Sequence, residues 1–296
     1  MSLRINFNSA SLSAQRALSR TQDDYARSAQ RISTGKRINS ANDDAAGLAV
    51  STKLKAQISG LNQAQKNVQD GINAIAIAEG ALSQMHALLS RMRELAVQSA
   101  TATVTDSDRA QANAEFTALS AEIDRLGTTT AYASIKLLDG SATAFKLKVG
   151  ANGGVDGNGD AVDTMTIELP DARVSGIDTP VTPTASPTTN PSPGLASASI
   201  TDQTVANGAI ATLDGAIEVI SSYRASLGSM SNRLQMTSDN LSTAMENVSA
   251  ANSRIEDADI ASEMSELVRT QILQQAGIAI LSQANQAPQS VLKLLQ

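Results

Sequence analysis

Two apolar patterns with a seven-residue period dominate the sequence. Every seventh residue from 54 to 96 is apolar, and the same holds from 213 to 255. The positions are Leu54, Leu61, Val68, Ile75, Leu82, Leu89 and Ala96 in the first seam, and Leu213, Ile220, Leu227, Leu234, Leu241, Val248 and Ile255 in the second. A strict heptad repeat predicts a narrow seam that meets a partner helix at a shallow angle, as in a coiled coil. Because neither helix can hide its seam alone, we expect the two helices to pair.

This pairing predicts a mainly α fold. Long antiparallel helices from the N-terminal and C-terminal halves would form a coiled-coil-like bundle, with a small β-hairpin region in the middle. Thr105 is a candidate N-cap for a third helix, and Gly127 is a candidate stop. Alternating apolar and polar residues predict two short strands, at 145–149 and 165–169.

Three glycines interrupt the first seam helix. Gly60, Gly71 and Gly80 each cost about 1 kcal/mol of helix propensity. Close approach of a neighbouring helix would account for them.

The two ends of the chain are helical in pattern but weakly apolar. The pattern predicts helices over residues 1–34 and 256–287. Their apolar positions are Ile5, Leu12, Leu18, Ile32, Ile260, Met264, Leu267, Ile272 and Leu281. Amphipathic segments that are poorly buried in a monomer are candidates for folding when they meet partners.

The stretch 171–204 has a different composition, with five of the seven prolines and twelve Ser or Thr residues. It is predicted to be an exposed segment. Residues 151–205 contain seven acidic side chains and one basic side chain, which accounts for the whole net charge of −6. A neutral helical body with an acidic middle argues against nucleic-acid binding.

The candidate chemistry is sparse. The chain has no cysteine and only one histidine, His86. It therefore has no thiol nucleophile, and a histidine-based triad or zinc cluster would lack a second histidine. We therefore expect no enzymatic activity, no metal and no cofactor. No apolar run is long enough to predict a membrane span, and the first residues lack the apolar core of a cleaved secretion signal.

Several ordered motifs at both ends resemble bacterial flagellin. Together they cover about 1–155 and 205–296. They are residues 32–50, Arg91-Met-Arg-Glu-Leu-Ala-Val-Gln98, Lys136-Leu-Leu-Asp-Gly140, Val149-Gly-Ala-Asn152, Arg254-Ile-Glu-Asp-Ala-Asp259, Gln274-Gln-Ala-Gly277 and residues 284–295.

The resemblance implies a structural subunit that self-assembles into the helical flagellar filament for motility. Residues 1–40 and 260–296 would then be terminal helices that form the inner core of the filament and are disordered in the free monomer. The helical bundle with its small β region would lie at 41–170 and 205–259. The resemblance also implies an extracellular location, type III export without a cleaved signal peptide, and a chaperone on the C-terminal helix near 256–296. Further implied partners are filament cap and junction proteins and sister flagellins, with no nucleic acid and no membrane.

One implied site concerns host recognition. Flagellins detected by the innate receptor TLR5 present an Arg, a Leu and a Glu at motif positions that Arg91, Leu95 and Glu115 occupy here.

Two alternatives remain open from the sequence. A hook–filament junction protein shares flagellin-like ends, and a cytoplasmic coiled-coil scaffold would account for the heptads but not for the end motifs.

Overall fold

The structure, a computed structural model, describes residues 8–141, 144–153, 163–177 and 195–294, without the side chains at 197 and 287–294. Most of these residues are helical, which confirms the mainly α fold. The helices are α1 Ser9–Thr34, α2 Ala45–Ser99, α3 Asp106–Thr129, α4 Gln203–Glu256 and α5 Ile260–Leu294, with a short 3₁₀ turn at Leu195–Ser197. The strands are β1 Ala131–Tyr132, β2 Ile135–Lys136, β3 Ala144–Lys148 and β4 Thr164–Glu168.

The chain divides into two compact units. The tail unit comprises Met1–Ile58 and Glu246–Gln296, and the bundle unit comprises Ser59–Met245. These bounds lie inside α2 and α4, whereas the sequence analysis placed the terminal helices at 1–40 and 260–296. The first turns of α2 and the last turns of α4 belong with the tails because they hold the connections to α1 and α5.

Within the bundle unit, α2 and α4 run antiparallel. The Gln65 amide donates to the Ser242 hydroxyl at 3.1 Å. Further along, the Arg93 Nε donates to Asp214 Oδ1 at 2.6 Å. The residue number on α4 falls as that on α2 rises, which is the signature of antiparallel pairing.

The heptad positions supply the core between these helices. Each seam residue of the bundle unit is at most 8% exposed: Leu61, Val68, Ile75, Leu82, Leu89, Ala96, Leu213, Ile220, Leu227, Leu234 and Leu241. Leu54, Val248 and Ile255, which lie in the tail unit, are only half-buried. Burial is therefore complete at the end of each seam marked by Ala96 and Leu213, and it weakens only at the other end, within the tail unit.

The start of α3 also closes the end of α2. Thr105 caps α3, accepting a hydrogen bond from the Asp108 backbone N–H as predicted. The buried Arg109 guanidinium donates to the carbonyls of Ser99 and Thr101 at 2.9 and 3.0 Å. The Ser99 carbonyl is one of those that a helix leaves without an intrahelical partner at its C-terminus, and the Thr101 carbonyl also accepts from the Val104 N–H at 3.3 Å.

Gly127 is not the end of α3, because the helix continues to Thr129. A Cβ at Gly127 would lie 3.0 Å from the Arg173 side chain and 3.3 Å from its backbone. The glycine therefore permits close packing of Arg173 on α3.

Strands β3 and β4 form the antiparallel hairpin that the sequence predicts, with bounds one residue earlier. Phe145 pairs with Ile167, and the buried side chains are Leu147 and Ile167. The hairpin lies on α2, where the Asn67 amide donates to the Lys148 carbonyl at 3.0 Å. The two-residue strands β1 and β2 were not predicted, because Ala133 and Ser134 turn between them with positive φ but without a Gly or Asn signal.

The stretch predicted to be exposed, 171–204, is packed at both flanks. The buried apolar residues there are Ala172, Val174, Ile177, Leu195 and Ile200. Their burial could not be predicted from the composition, because apolar residues scattered among Ser, Thr and Pro form no periodic pattern. The middle of the stretch, 178–194, lies outside the described residues.

The three glycines of α2 have different surroundings. A Cβ at Gly60 would lie 2.8 Å from the Ala151 Cβ, and one at Gly71 would lie 2.3 Å from Leu147 Cδ1 and 3.3 Å from Leu234 Cδ1. Gly80 has no atom within 4 Å of such a Cβ. Close approach of other atoms therefore accounts for two of the three glycines. The approaching group is mainly the hairpin region rather than a helix.

We predict opposite effects for alanine at Gly80 and Gly71. Gly80→Ala should raise the free energy of unfolding by about 0.5–1 kcal/mol through helix propensity alone. Gly71→Ala gains the same propensity but presses on the buried Leu147, so it should be less stable than Gly80→Ala by about 1–3 kcal/mol. Urea unfolding followed by circular dichroism measures both. Equal stabilisation by the two variants would contradict the packing assigned to Gly71.

Candidate functional site

Helices α1 and α5 pair antiparallel within the tail unit. Near one end of the pair, the Asn8 side-chain amide donates to the Ala284 carbonyl at 2.9 Å. Near the other, the Arg31 guanidinium lies 3.0 Å from the Glu263 carboxylate. Between them, a Cβ at Gly277 would lie 3.3 Å from Leu18 Cδ1, so the helices are close at this point.

This pairing leaves one set of apolar side chains on α5 uncovered. We call the set the α5 stripe; its members are Ile260, Met264, Val268, Ile272, Leu273, Ile278 and Ile280. Each is between 44% and 60% exposed, with Ile272 and Ile280 the most exposed at 60%. So many large apolar side chains exposed on one helix make it a candidate interaction surface.

The tail residues named from the sequence divide into two groups. Ile260, Met264 and Ile272 belong to the α5 stripe. The half-buried group comprises Leu12, Leu18, Ile32, Leu267 and Leu281. Ile5 lies outside the described residues.

A polar groove of about 620 Å³ lies between α1 and α5. It is lined by Asp24, Arg27, Ser28, Arg31, Ser262, Glu263, Ser265, Glu266 and Arg269. Three arginines face three carboxylates, so the charges are balanced within the groove. The tail pair therefore combines an apolar face with a charge-balanced polar groove.

A backbone joint connects the two tail helices to the rest of the tail unit. The Arg37 N–H donates to the Glu256 carbonyl at 2.6 Å, and the Ala258 N–H donates to the Gly35 carbonyl at 3.0 Å. Lys36 and Asp257 form the β-bridge between these bonds. Gly35 ends α1 with φ of +70°, a conformation that favours glycine. The exits of α1 and α4 are thus held side by side.

The side chain of Glu256 lies at this joint and is only 4% exposed. Its carboxylate accepts from the ammonium groups of Lys36 at 2.8 Å and Lys55 at 2.6 Å, and from the Ser51 hydroxyl at 2.7 Å. We call these four residues the Glu256 clamp. The clamp could not be predicted from the sequence, because a single buried carboxylate produces no periodic pattern. The only indication of it was that Lys36 and Glu256 lie within the motifs that resemble flagellin.

The clamp keeps the carboxylate ionised. Hydrogen bonds from Lys36, then Lys55 and Ser51, lower the pKa of Glu256 from 4.5 to about 2. A lowered carboxyl pKa contributes stability that is fully present above about pH 4.5 and is lost as the pH falls towards 2. The clamp should therefore persist through mild acid.

Arg91, Leu95 and Glu115 come together in the bundle unit. The Arg91 Nε lies 3.0 Å from Glu115 Oε1, which joins α2 to α3, and Arg91 also pairs with Glu94 at 3.0 Å. Arg91 and Glu115 are about half exposed, whereas Leu95 is 3% exposed. A partner on this surface would touch the charged pair, whereas Leu95, one helical turn further along α2, is buried.

Other candidate chemistry is limited. His86 is half-buried on α2, where its carbonyl accepts from the Ser90 hydroxyl at 2.9 Å. In the parts of the chain that the structure describes, no cluster of three or more His, Asp or Glu side chains is arranged for a metal ion. The helices of the same described ranges include none with the length and hydrophobicity to cross a membrane.

Two family models match the chain. The bacterial flagellin N-terminal helical region matches residues 5–143, and the bacterial flagellin C-terminal helical region matches residues 210–295. The matched ranges include α1 to α3 at one end and most of α4 with α5 at the other.

Curated relatives match over almost the full length. A flagellin of Halalkalibacterium halodurans is 44% identical over 99% of both chains. A flagellin of Listeria monocytogenes is 38% identical over 99% of both chains, and one of Bacillus subtilis is 40% identical over 99% of this chain and 100% of the relative. Nothing in these matches favours a hook–filament junction protein. With both helical regions matched and full-length relatives at this identity, the chain belongs to the bacterial flagellin family and is a structural subunit of the flagellar filament, not an enzyme.

Proposed function

We propose that this flagellin polymerises by burying the α5 stripe, together with the outer face of α1, against neighbouring copies. The observation that carries the proposal is the stripe itself, seven large apolar side chains left about half exposed by the pairing of α1 and α5. The tail residues named from the sequence on both helices are proposed to belong to this assembly surface, and Ile5, outside the described residues, is proposed for it from the sequence alone.

The free energy available from burying the α5 stripe indicates that contact with a single neighbouring copy would be weak. Full burial of a large aliphatic side chain contributes about 1.5–3 kcal/mol, so covering the exposed half of seven contributes roughly 5–10 kcal/mol. Association itself costs about 4–15 kcal/mol. One contact is therefore marginal, and a subunit joining a growing end gains stability by contacting several copies at once.

The contacts between copies are proposed to be head-to-tail. Non-reciprocal surfaces that do not close into a ring generate an open helical polymer. Disorder of residues 1–40 and 260–296 in the free monomer would suppress premature growth, because the ordering entropy offsets part of the contact energy.

The exposed α5 stripe is also the basis for proposing partners before and after export. A cytoplasmic chaperone on the C-terminal helix, near 256–296, would shield the α5 stripe from aggregation. Type III export without a cleaved signal peptide, filament cap and junction proteins, and co-assembling sister flagellins are further proposals that rest on the family.

Arg91, Leu95 and Glu115 are proposed to form a recognition surface for the innate receptor TLR5. Geometric support comes from the exposed Arg91–Glu115 pair, which presents both charges at one place on α2 and α3. Leu95 would support α2 from below rather than contact the receptor.

For assembly, we predict that the double variant Ile272→Ser, Ile280→Ser raises the critical concentration for polymerisation. Losing half the burial energy of two aliphatic side chains corresponds to about a 10–100-fold increase. Deleting residues 1–35 or 260–296 should abolish filaments while leaving the bundle helices folded. Sedimentation after salt-induced polymerisation measures the critical concentration.

Met236→Ser is the matched control for the stripe, because Met236 is 64% exposed but lies on α4 in the bundle unit. It should change the critical concentration much less. If the double variant polymerised like the parent, or if the control were equally impaired, the α5 stripe would not be the assembly surface.

For receptor recognition, we predict that Arg91→Ala weakens TLR5 signalling by monomers by about 30-fold, the fold-change that corresponds to the lower limit for an interface hot spot. Arg93→Ala is the matched control, since Arg93 is a similarly exposed arginine on the same helix and pairs with Asp214 instead. A reporter-cell dose–response measures both, with helicity checked by circular dichroism. Equal potency of the two variants would remove Arg91 from the proposed site.

A further inference from the structure

Asparagine is followed by glycine at two places in the described parts of the bundle unit, and the backbone differs between them. Asn152 and Gly153 follow β3, outside any helix or strand, and both residues are exposed. Asn207 and Gly208 are also exposed but lie within α4. A third pair, at 158–159, lies outside the described residues. Alanine precedes both described asparagines, so the two sites share the tripeptide Ala-Asn-Gly and differ in backbone structure.

An asparagine that precedes a glycine can react with its own backbone. The glycine nitrogen attacks the asparagine Cγ, and the new N–Cγ bond replaces the bond from Cγ to the side-chain nitrogen, which leaves as ammonia with the proton of the attacking N–H. Water then opens the resulting succinimide ring. Cleavage of the N–Cγ bond gives an ordinary aspartate, whereas cleavage at the main-chain carbonyl gives an isoaspartate, with one additional carbon in the backbone. Glycine favours this attack because it has no Cβ to restrict its nitrogen.

The surroundings of the two glycines are equally open, so the helix is what distinguishes the sites. A Cβ at Gly153 or at Gly208 would have no atom within 4 Å. In α4, however, the backbone dihedrals of Asn207 are fixed by the hydrogen-bonded turn, and the Gly208 carbonyl also accepts from the Thr212 hydroxyl at 3.3 Å. Ring closure at Asn207 therefore requires local opening of the helix first. At Asn152 no helical turn has to open.

The products at position 152 would place a carboxylate beside one that is already there. The Asn152 N–H donates to Asp163 Oδ2 at 3.2 Å, and the Val149 N–H donates to the Asp163 carbonyl at 2.7 Å. The preceding residue, Ala151, packs against α2, where a Cβ at Gly60 would lie 2.8 Å from the Ala151 Cβ. Repulsion between the two carboxylates, or an added backbone carbon, therefore acts on the contact between the hairpin region and α2.

We propose that Asn152 is a site of spontaneous deamidation, at which the Gly153 nitrogen forms a succinimide that water opens to aspartate and isoaspartate, while α4 protects the identical tripeptide at Asn207. The only co-reactant is water, ammonia is released, and no group is oxidised or reduced. The site lies in the bundle unit, so the proposal does not depend on assembly through the α5 stripe.

Peptide mapping by mass spectrometry, after incubation of the full-length monomer at neutral pH, tests the proposal. The mass increase from amide to carboxylate is followed at both sites, and fragment ions distinguish Asn152 from Asn158, which share a tryptic peptide. We expect Asn152 to react at least about tenfold faster than Asn207 in the folded protein, because 1.4 kcal/mol of local opening free energy in α4 gives that ratio. In guanidinium chloride, where α4 unfolds, the two rates should converge.

Gly153→Ala is the variant that tests the chemistry, because a Cβ has room at this position and hinders the attacking nitrogen. It should slow the reaction at Asn152 several-fold and leave the rate at Asn207 and the unfolding temperature unchanged. Gly208→Ala is the matched control and should leave Asn152 as reactive as in the parent. Equal rates at Asn152 and Asn207 in the folded protein would overturn the proposal. An unchanged rate at Asn152 in Gly153→Ala would refute the succinimide route.

Discussion

An amphipathic helix cannot bury its own apolar face, so every long helix of this chain depends on a partner. In the bundle unit that dependence is met within the chain: α2 and α4 close their heptad seams on each other, and residues such as Leu82 and Leu213 are fully buried. In the tail unit it is met only in part, because α1 covers one side of α5 and leaves the α5 stripe exposed. The difference between the two units is therefore a difference in how much apolar surface remains for other molecules.

The polar contacts of the tail unit complement this apolar surface. The groove between α1 and α5 balances its own charges, with Arg31 and Glu263 paired at 3.0 Å, so it adds little net attraction to a neighbour. The Glu256 clamp is different, since its carboxylate is buried and its partners come from separate segments. In the proposed assembly, apolar area supplies the driving force, while buried charge is suited to fixing geometry.

Much of the fold could be predicted because its main elements are periodic. The heptads from Leu54 and Leu213 gave the antiparallel pair, and alternation gave the β3–β4 hairpin, because long regular patterns report burial directly. Features that depend on one or two residues were missed or misplaced. Gly127 suggested a helix end but instead admits Arg173, and Ile177 and Ile200 pack within a stretch whose composition suggested exposure. The sequence showed that α5 carries apolar residues. Only the structure shows which of them α1 leaves exposed. No sequence pattern could reveal that Glu256 is buried between two lysines.

In the proposed filament, other copies of the chain bury the α5 stripe, which the free monomer leaves exposed. Hydrogen exchange with mass spectrometry, on the monomer and on the assembled filament, tests this most directly, because amide protection reports local opening. The account predicts that amides of α1 and α5 exchange rapidly in the monomer and become strongly protected in the filament, while the middle of α2, around Leu82, is protected in both. If α1 and α5 were as protected in the monomer as the middle of α2, or gained no protection on assembly, the claim would be contradicted.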